Sequence, residues 1–225
     1  VDAVIHLAYI NGTKYFYSKP VLILDIAIKG ITNIMQACIK KKIKQIYLAS
    51  SSEVYQTPNK VPTEENEPLK IPDIYNPRYS YGGGKILTEL MGIHYGKKYF
   101  KKLIIFRPHN VYGANMGNEH VIPEFIRRFK NLKNKKFKIQ GTGNEVRSFI
   151  YIDDFISAFN LILNKGKHLN IYNIGTSEKI KIKYLANKLS KLFNKKIKLK
   201  RTSGKKGGTK IRLPDRSEER RVGKE

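Results

Sequence analysis

The chain has 225 residues, 44 Lys and Arg against 18 Asp and Glu, one Cys and no Trp, for a formal net charge of +26. That length buries a real core and suits one α/β domain, or a domain with a small lobe. The lone Cys38 excludes a disulfide framework and any cysteine-built zinc site within the chain, and no unbroken apolar run approaches the ~18 residues of a membrane span.

The positive charge is mostly Lys, set among Ile, Asn, Tyr and Phe, which is the composition that AT-rich codons write. Lysines such as Lys40, Lys41, Lys97, Lys98, Lys135 and Lys136 fall on helix faces and in turns. No Arg cluster is interleaved with stacking aromatics, so nucleic acid is not the expected partner. The excess charge can still draw in an anionic small molecule.

In chain order, residues 3–7 are a short apolar run ending in small residues, the pattern of a buried strand. Residues 19–41 carry apolar side chains at helical spacing, with Pro20 placed for a first turn. Residues 45–49 predict the next strand, 57–77 a polar, Pro-rich connection, 79–99 a helix and 102–106 a strand stopped by Pro108. Helix is predicted over 122–132, strand over 137–140, a glycine turn over 141–144 and helix over 153–163. A strand over 171–173, a helix over 182–193 and a strand over 197–200 complete the series. Strands alternating with helices predict βαβ units and a parallel sheet. The ends differ in style. The chain opens on Val1-Asp2-Ala3-Val4 with no Met, and residues 216–225 are Arg-rich and apolar-poor, reading codon for codon like a translated sequencing adapter. The expectation is a fragment with a non-native tail.

Four segments carry chemistry. Tyr81-Gly82-Gly83-Gly84-Lys85 places a phenol and an ammonium on one helix face, where the cation is expected to lower the Tyr81 pKa and make it a usable acid/base. The three glycines are costly inside a helix and mark a close backbone approach. Ser50-Ser51-Ser52-Glu53-Val54-Tyr55 follows a strand, at the end of a sheet where α/β folds bind ligands. Arg107-Pro108-His109-Asn110-Val111-Tyr112-Gly113 again follows a strand and offers polar groups to orient a substrate. His109 and His120 alone do not make a metal site, and none is expected. Arg147-Ser148-Phe149-Ile150-Tyr151-Ile152-Asp153 offers a guanidinium to a diphosphate and a helix-capping carboxylate.

Together and in this order, these segments resemble the extended short-chain dehydrogenase/reductase family, specifically its NAD-dependent nucleotide-sugar epimerases and dehydratases. The resemblance covers residues 2–215, with Tyr81-x-x-x-Lys85, Arg107-Pro108-x-Asn110-Val111-Tyr112-Gly113, Arg147-x-Phe149-x-Tyr151-x-x-Asp154 and Tyr172-Asn173-Ile174-Gly175 in the family's places. It implies an α/β fold, a doubly wound Rossmann-type parallel sheet lacking its first three strands, with a small C-terminal α/β substrate lobe. Residues 1–113 would be the C-terminal half of the NAD-binding domain, and 114–215 mainly the substrate lobe, with segments returning to the Rossmann part.

The resemblance also implies roles. Tyr81 would take a proton from a sugar hydroxyl as hydride moves to NAD, with Lys85, Ser51 and Glu53 beside it. Leu7, Ala8, Ser50, Tyr81, Lys85 and Pro108 would meet the cofactor; Ser51, Ser52, Asn110 and Arg147 would meet a nucleotide-diphosphate sugar. The transient keto-sugar then leads to epimerisation or, if Glu53 serves a second step, to a 4,6-dehydratase or decarboxylase. A non-catalytic member that binds RNA is the competing class.

Two departures stand out. The glycine-rich turn that cradles the pyrophosphate and its companion acid are not among the 225 residues, so NAD over NADP is not fixed and the chain alone is expected to bind NAD weakly and to be inactive. Ala27 stands where many members carry Asn. A cytoplasmic protein, dimeric through the helices over 19–41 and 79–99, is the remaining expectation.

Overall fold

The computed structural model describes residues 1–204, 207–218 and 222. The chain runs β1 (Ala3–His6), α1 (Thr13–Ser18), α2 (Pro20–Lys40), β2 (Gln45–Ala49), a 3-10 turn (Ser52–Tyr55), α3 (Tyr79–Tyr99), β3 (Lys102–Pro108) and β4 (Val111–Tyr112). It continues through α4 (Val121–Lys130), β5 (Lys136–Gln140), β6 (Val146–Arg147), β7 (Ile150–Tyr151), α5 (Ile152–Lys165) and β8 (Ile171–Ile174). β9 (Ile180–Lys181), α6 (Ile182–Leu192), β10 (Lys198–Thr202) and β11 (Ile211–Arg212) complete it.

The main sheet has four parallel strands in the order β1-β2-β3-β8. β2 and β3 are apolar on both faces because both are covered, as parallel strands require. Ile46, Leu48, Leu103 and Ile105 face α2 and α3, while Tyr47, Ala49, Ile104 and Phe106 face α5. β1 is an edge strand on which Ile5 is exposed.

α2 buries Ile23, Ala27, Ile31, Met35 and Cys38, a stripe at steps of three and four. Its 21 residues are long and apolar enough to cross a membrane by length and composition, which corrects the expectation that no segment is. Asp25 and Lys29 break the apolar run, so counting consecutive residues misses it, and its buried stripe packs into the core beside α3.

α3 reaches so close to its neighbours that glycine is needed. A Cβ on Gly92 would lie 2.6 Å from Leu48, and one on Gly96 would lie 2.7 Å from Leu169. At Gly84 it would meet the Tyr9 hydroxyl and Ala27, and at Gly82 the Gln56 amide. These neighbours are what the glycines between Tyr81 and Lys85 approach.

The second region builds on β5 and β10, paired in parallel and covered by α4 and α6 around Phe125, Phe129, Phe137 and Leu189. The Phe129 and Phe137 rings stack at 4.3 Å. β6 sits between β11 and antiparallel β9. After β11 the chain returns to the first region as a strap: Thr63 N–H donates to Leu213 O at 2.9 Å, and Asp215 N–H to Thr63 O at 2.8 Å. Of the tail, Val222 is buried in the cluster on the α5 face; residues 219–221 and 223–225, on which the expectation of a non-native end also rests, lie outside the described residues.

A polar network is sealed inside the sheet's C-terminal end. Arg107 donates to Glu89 through Nε at 2.8 Å and Nη2 at 2.6 Å, and through Nη1 to the Tyr55 hydroxyl at 2.7 Å and Glu65 O at 2.8 Å. Tyr55 donates to Asn173 Oδ1 at 2.8 Å, with His109 Nε2 at 3.2 Å from the same oxygen. Burial holds the His109 imidazole neutral, its pKa pushed down to about 3.

Candidate active site

Both regions open onto one cleft of ≈ 1320 Å³ at the C-terminal ends of β2 and β3, where α/β sheets bind ligands. Among the described residues, it is lined by Leu7, Ser50, Ser51, Ser52, Glu53, Tyr81, Lys85, Pro108, Asn110 and Arg147, gathering all but one of the residues singled out in the sequence. Ala8 is exposed and does not line it.

Tyr81 lies in the first turn of α3, buried under Phe16, whose ring stacks on it at 4.6 Å and 19°, and against the Tyr9 edge at 5.2 Å. The Ser51 side chain lies close enough to its hydroxyl to lower its pKa. Ser51 Oγ also accepts from Glu53 N–H at 3.1 Å, which fixes the 3-10 turn after β2. Burial raises the Tyr81 pKa; Ser51 and Arg212 counter this and Glu53 adds to it.

The expected lowering by Lys85 is therefore corrected. Lys85 Nζ is 6.0 Å from the Tyr81 ring centre, lies 3.9 Å from that of Tyr9 and donates to Ala49 O at 2.7 Å. Burial takes the Lys85 pKa itself down to about 7, against the pull of Glu89. At neutral pH Tyr81 holds its proton.

The other polar groups divide between structure and cleft. The Ser50 hydroxyl turns inward and donates to Glu89, so any contact it makes with a cofactor falls to its backbone. Asn110, at φ 41, donates through Nδ2 to Ser148 O at 2.7 Å, tying the end of β3 to the loop after β6. Arg147 donates through Nη1 to Val146 O at 2.8 Å; burial and the nearby Arg212 and Arg78 push its pKa down to about 9 against Glu53.

Glu53 is gripped from two sides. Arg212 Nη1 lies 2.7 Å from Oε1 and Arg78 Nη2 lies 3.2 Å from Oε2. Burial raises its pKa, but the charges of Arg212 and Arg78 and the Arg212 hydrogen bond prevail and hold it at about 2. Neither Arg78 nor Arg212 stands out in the sequence, because each is a single Arg outside the recognised segments. Tyr9 and Phe16, which wall Tyr81, were equally silent. Among the described residues no group of three His, Cys, Asp or Glu could hold a metal.

The residues present fit the nicotinamide–ribose end of a dinucleotide. Lys85 spends one of its three N–H donors on Ala49, and the Tyr9 hydroxyl beside it is buried without a partner. Leu7 and Pro108 supply apolar wall at that end of the cleft.

The chain is 33% identical over 84% of its length to a dTDP-D-glucose 4,6-dehydratase of Dictyostelium discoideum, covering 44% of that protein. It is 35% identical over 82% of its length to a putative UDP-glucose 4-epimerase of Methanocaldococcus jannaschii, covering 59% of it. The chain thus spans about half the length of these relatives. The dTDP-glucose 4,6-dehydratase DesIV of Streptomyces venezuelae, solved with NAD and TYD bound, superposes with a TM-score of 0.88 at 22% identity over 99% of this chain and 67% of DesIV, which shows the shared fold. Residues 1–175 match the family model for the NAD dependent epimerase/dehydratase family, and the chain belongs to that family.

Proposed function

We propose that the cleft serves NAD-dependent epimerisation of a nucleoside-diphosphate sugar through a transient keto-sugar, with Tyr81 as the acid/base. The observation that carries this choice is Glu53 locked between Arg78 and Arg212. Elimination of water needs a side chain that can hand a proton to the leaving hydroxyl. Glu53 is ionised across the neutral range, and Ser52, beside it, has no readily titrated proton.

NAD, when bound, supplies an acceptor that takes a hydride from the sugar carbon and gives it back. Tyr81 Oη, protonated at rest, would first lose that proton to solvent; as the phenolate it would take the proton of the sugar hydroxyl as hydride leaves the carbon, and return it to the ketone oxygen as hydride comes back. Ser51 Oγ holds the same oxygen in line. Lys85 keeps two N–H donors for the cofactor's ribose, and its charge falls away as the pH passes about 7. Arg147 and the strap residue Arg212 take the diphosphate. The exposed apolar side chains Val21, Leu24 and Ile28 of α2 and Leu90 of α3 supply the contact of a homodimer.

The second reading, a dehydratase or decarboxylase using Glu53, is favoured by the Dictyostelium relative. Incubation of the chain, first completed with a glycine-rich cofactor-binding segment, with NAD and UDP-, GDP-, CDP- and dTDP-sugars, followed by product masses, separates the readings. A product of unchanged mass and new retention time is expected, and Tyr81→Phe is expected to slow its formation by roughly 10²–10⁴-fold. A product lighter by water or carbon dioxide would overturn epimerisation.

A further inference from the structure

Lys85 is only 3% exposed, and a buried ammonium needs a compensating group or it gives up its proton. The carboxylate whose charge favours the protonated form is Glu89, one turn on along α3. That carboxylate is already engaged: it receives Arg107 through Nε at 2.8 Å and Nη2 at 2.6 Å, and the Ser50 hydroxyl as well. His6 on β1 brings no negative charge, its pKa being lowered first by burial and then by Lys85 itself. Tyr81 holds its proton, with its ring centre 6.0 Å away. Among the described residues, the hydrogen bond that Lys85 makes goes to Ala49 O at 2.7 Å.

What lies against the ammonium is the face of Tyr9, with Nζ 3.9 Å from the ring centre. The negative face of an aromatic ring attracts a cation, and the attraction strengthens where water is kept out. Tyr9 is held in that pose from two sides. Its ring stands at 87° to that of Tyr81, with centres 5.2 Å apart. Its hydroxyl is wedged beside Gly84 and Ala27, where a Cβ on Gly84 would strike it, and is buried without a partner. Burial first and Tyr81 second raise its pKa, so Tyr9 is neutral there. What the chain uses of Tyr9 is thus its ring, and Gly84 makes room for it.

Resting on the reading above, in which Lys85 serves the cofactor's ribose, we propose that Tyr9 is a positioning residue for Lys85, its ring face taking the place of a carboxylate and holding the ammonium charged and turned to Ala49 O. A ring does this at less cost to Tyr81 than a carboxylate would. A second negative charge beside Tyr81 would push the phenol's pKa up further and oppose formation of the phenolate.

Titration of the Lys85 Nζ and Cε signals by NMR in lysine-labelled residues 1–225, assigned by their loss in Lys85→Arg, tests this with no cofactor present. Tyr9→Phe keeps the ring and is expected to leave the proton affinity of Lys85 within about twofold of wild type, whereas Tyr9→Leu is expected to lower it about tenfold. Pentafluorophenylalanine at position 9 nearly keeps the shape of Phe and reverses the ring's quadrupole, so it is expected to follow Leu. That comparison holds even where Tyr9→Leu does not fold, and a merely structural role for Tyr9 would not separate two rings of one shape. The same Lys85 titration with either ring at position 9 would overturn the proposal. Failure of the completed chain to convert any nucleotide sugar would instead overturn the function proposed above and leave this contact standing.

Discussion

Glu89 meets one arginine, Arg107, through two hydrogen bonds of 2.8 and 2.6 Å, and accepts a third from the Ser50 hydroxyl. Charges balance, and the two Nη1 donors of Arg107 find partners in the Tyr55 hydroxyl and Glu65 O. Glu53 stands between two arginines with a third, Arg147, close enough to act on its charge, and two guanidinium Nε atoms are left over. The first network joins α3, β3 and the turn after β2 out of reach of solvent. The second lines the cleft. The contrast shows one pairing of residue types in two settings: a closed, neutral set fastens the fold, and an open, cationic set lines the cleft.

The largest effect that could break this contrast is Arg107→Met. It strands the Glu89 carboxylate in the core and is expected to cost about 3–5 kcal/mol in urea denaturation. A cost below about 1 kcal/mol would mean that Arg107 is dispensable to the fold. Glu53→Gln is expected to cost less, on the order of 1–3 kcal/mol, because solvent anions reach the cleft and screen the freed cations. Its pH dependence has a fixed sign. Glu53 is depressed from 4.5 to about 2, so the wild type's advantage is complete above the unfolded value and fades as the pH falls through about 2. Denaturation from pH 7 to pH 2 follows it.

Lys85 sharpens the comparison from the opposite side, since its cost is accepted for a site. Its pKa falls from 10.5 to about 7, so between those values the unfolded chain holds a proton that the folded one releases. Stability from this group therefore rises as the pH climbs from 7 to 10.5. Lys85→Met is expected to be about 1–2 kcal/mol more stable than wild type near pH 7, with the gap narrowing toward pH 10. The smallest effect sets the baseline: Gly30, with nothing within 4 Å of an added Cβ, should gain about 0.5–1 kcal/mol as Ala, read as a small rise in Tm.

Long, periodic elements were legible. The predicted helix over 79–99 coincides with α3, and the predicted strands 45–49 and 171–173 match β2 and most of β8. β4, β6, β7, β9 and β11 are two residues each, too short for a period of two to register. α1 was hidden because its Tyr–Phe–Tyr run reads as no clear period and its first turn has no side-chain cap. In the site, residues inside multi-residue segments were found: Ser51, Tyr81, Lys85, Asn110 and Arg147 all line the cleft. What escaped was chemistry made by folding alone. Spacing places Lys85 near Tyr81 but cannot show its ammonium turned to Ala49 O and the Tyr9 ring, nor that Arg78 and Arg212 meet over one carboxylate.

The strap after β11 gives the molecule a division of labour that selection can act on separately. Tyr81, Ser51 and Lys85 stand on the parallel-sheet frame, while Arg212 arrives on a segment that has passed through the second region and is stitched back to Thr63. Replacing the second region together with its strap would exchange the charges on one side of the cleft and leave Tyr81 and Ser51 in their original setting. On the function proposed above, recombination at the loops re-addresses one framework to new ligands and keeps the residues around Tyr81 unchanged.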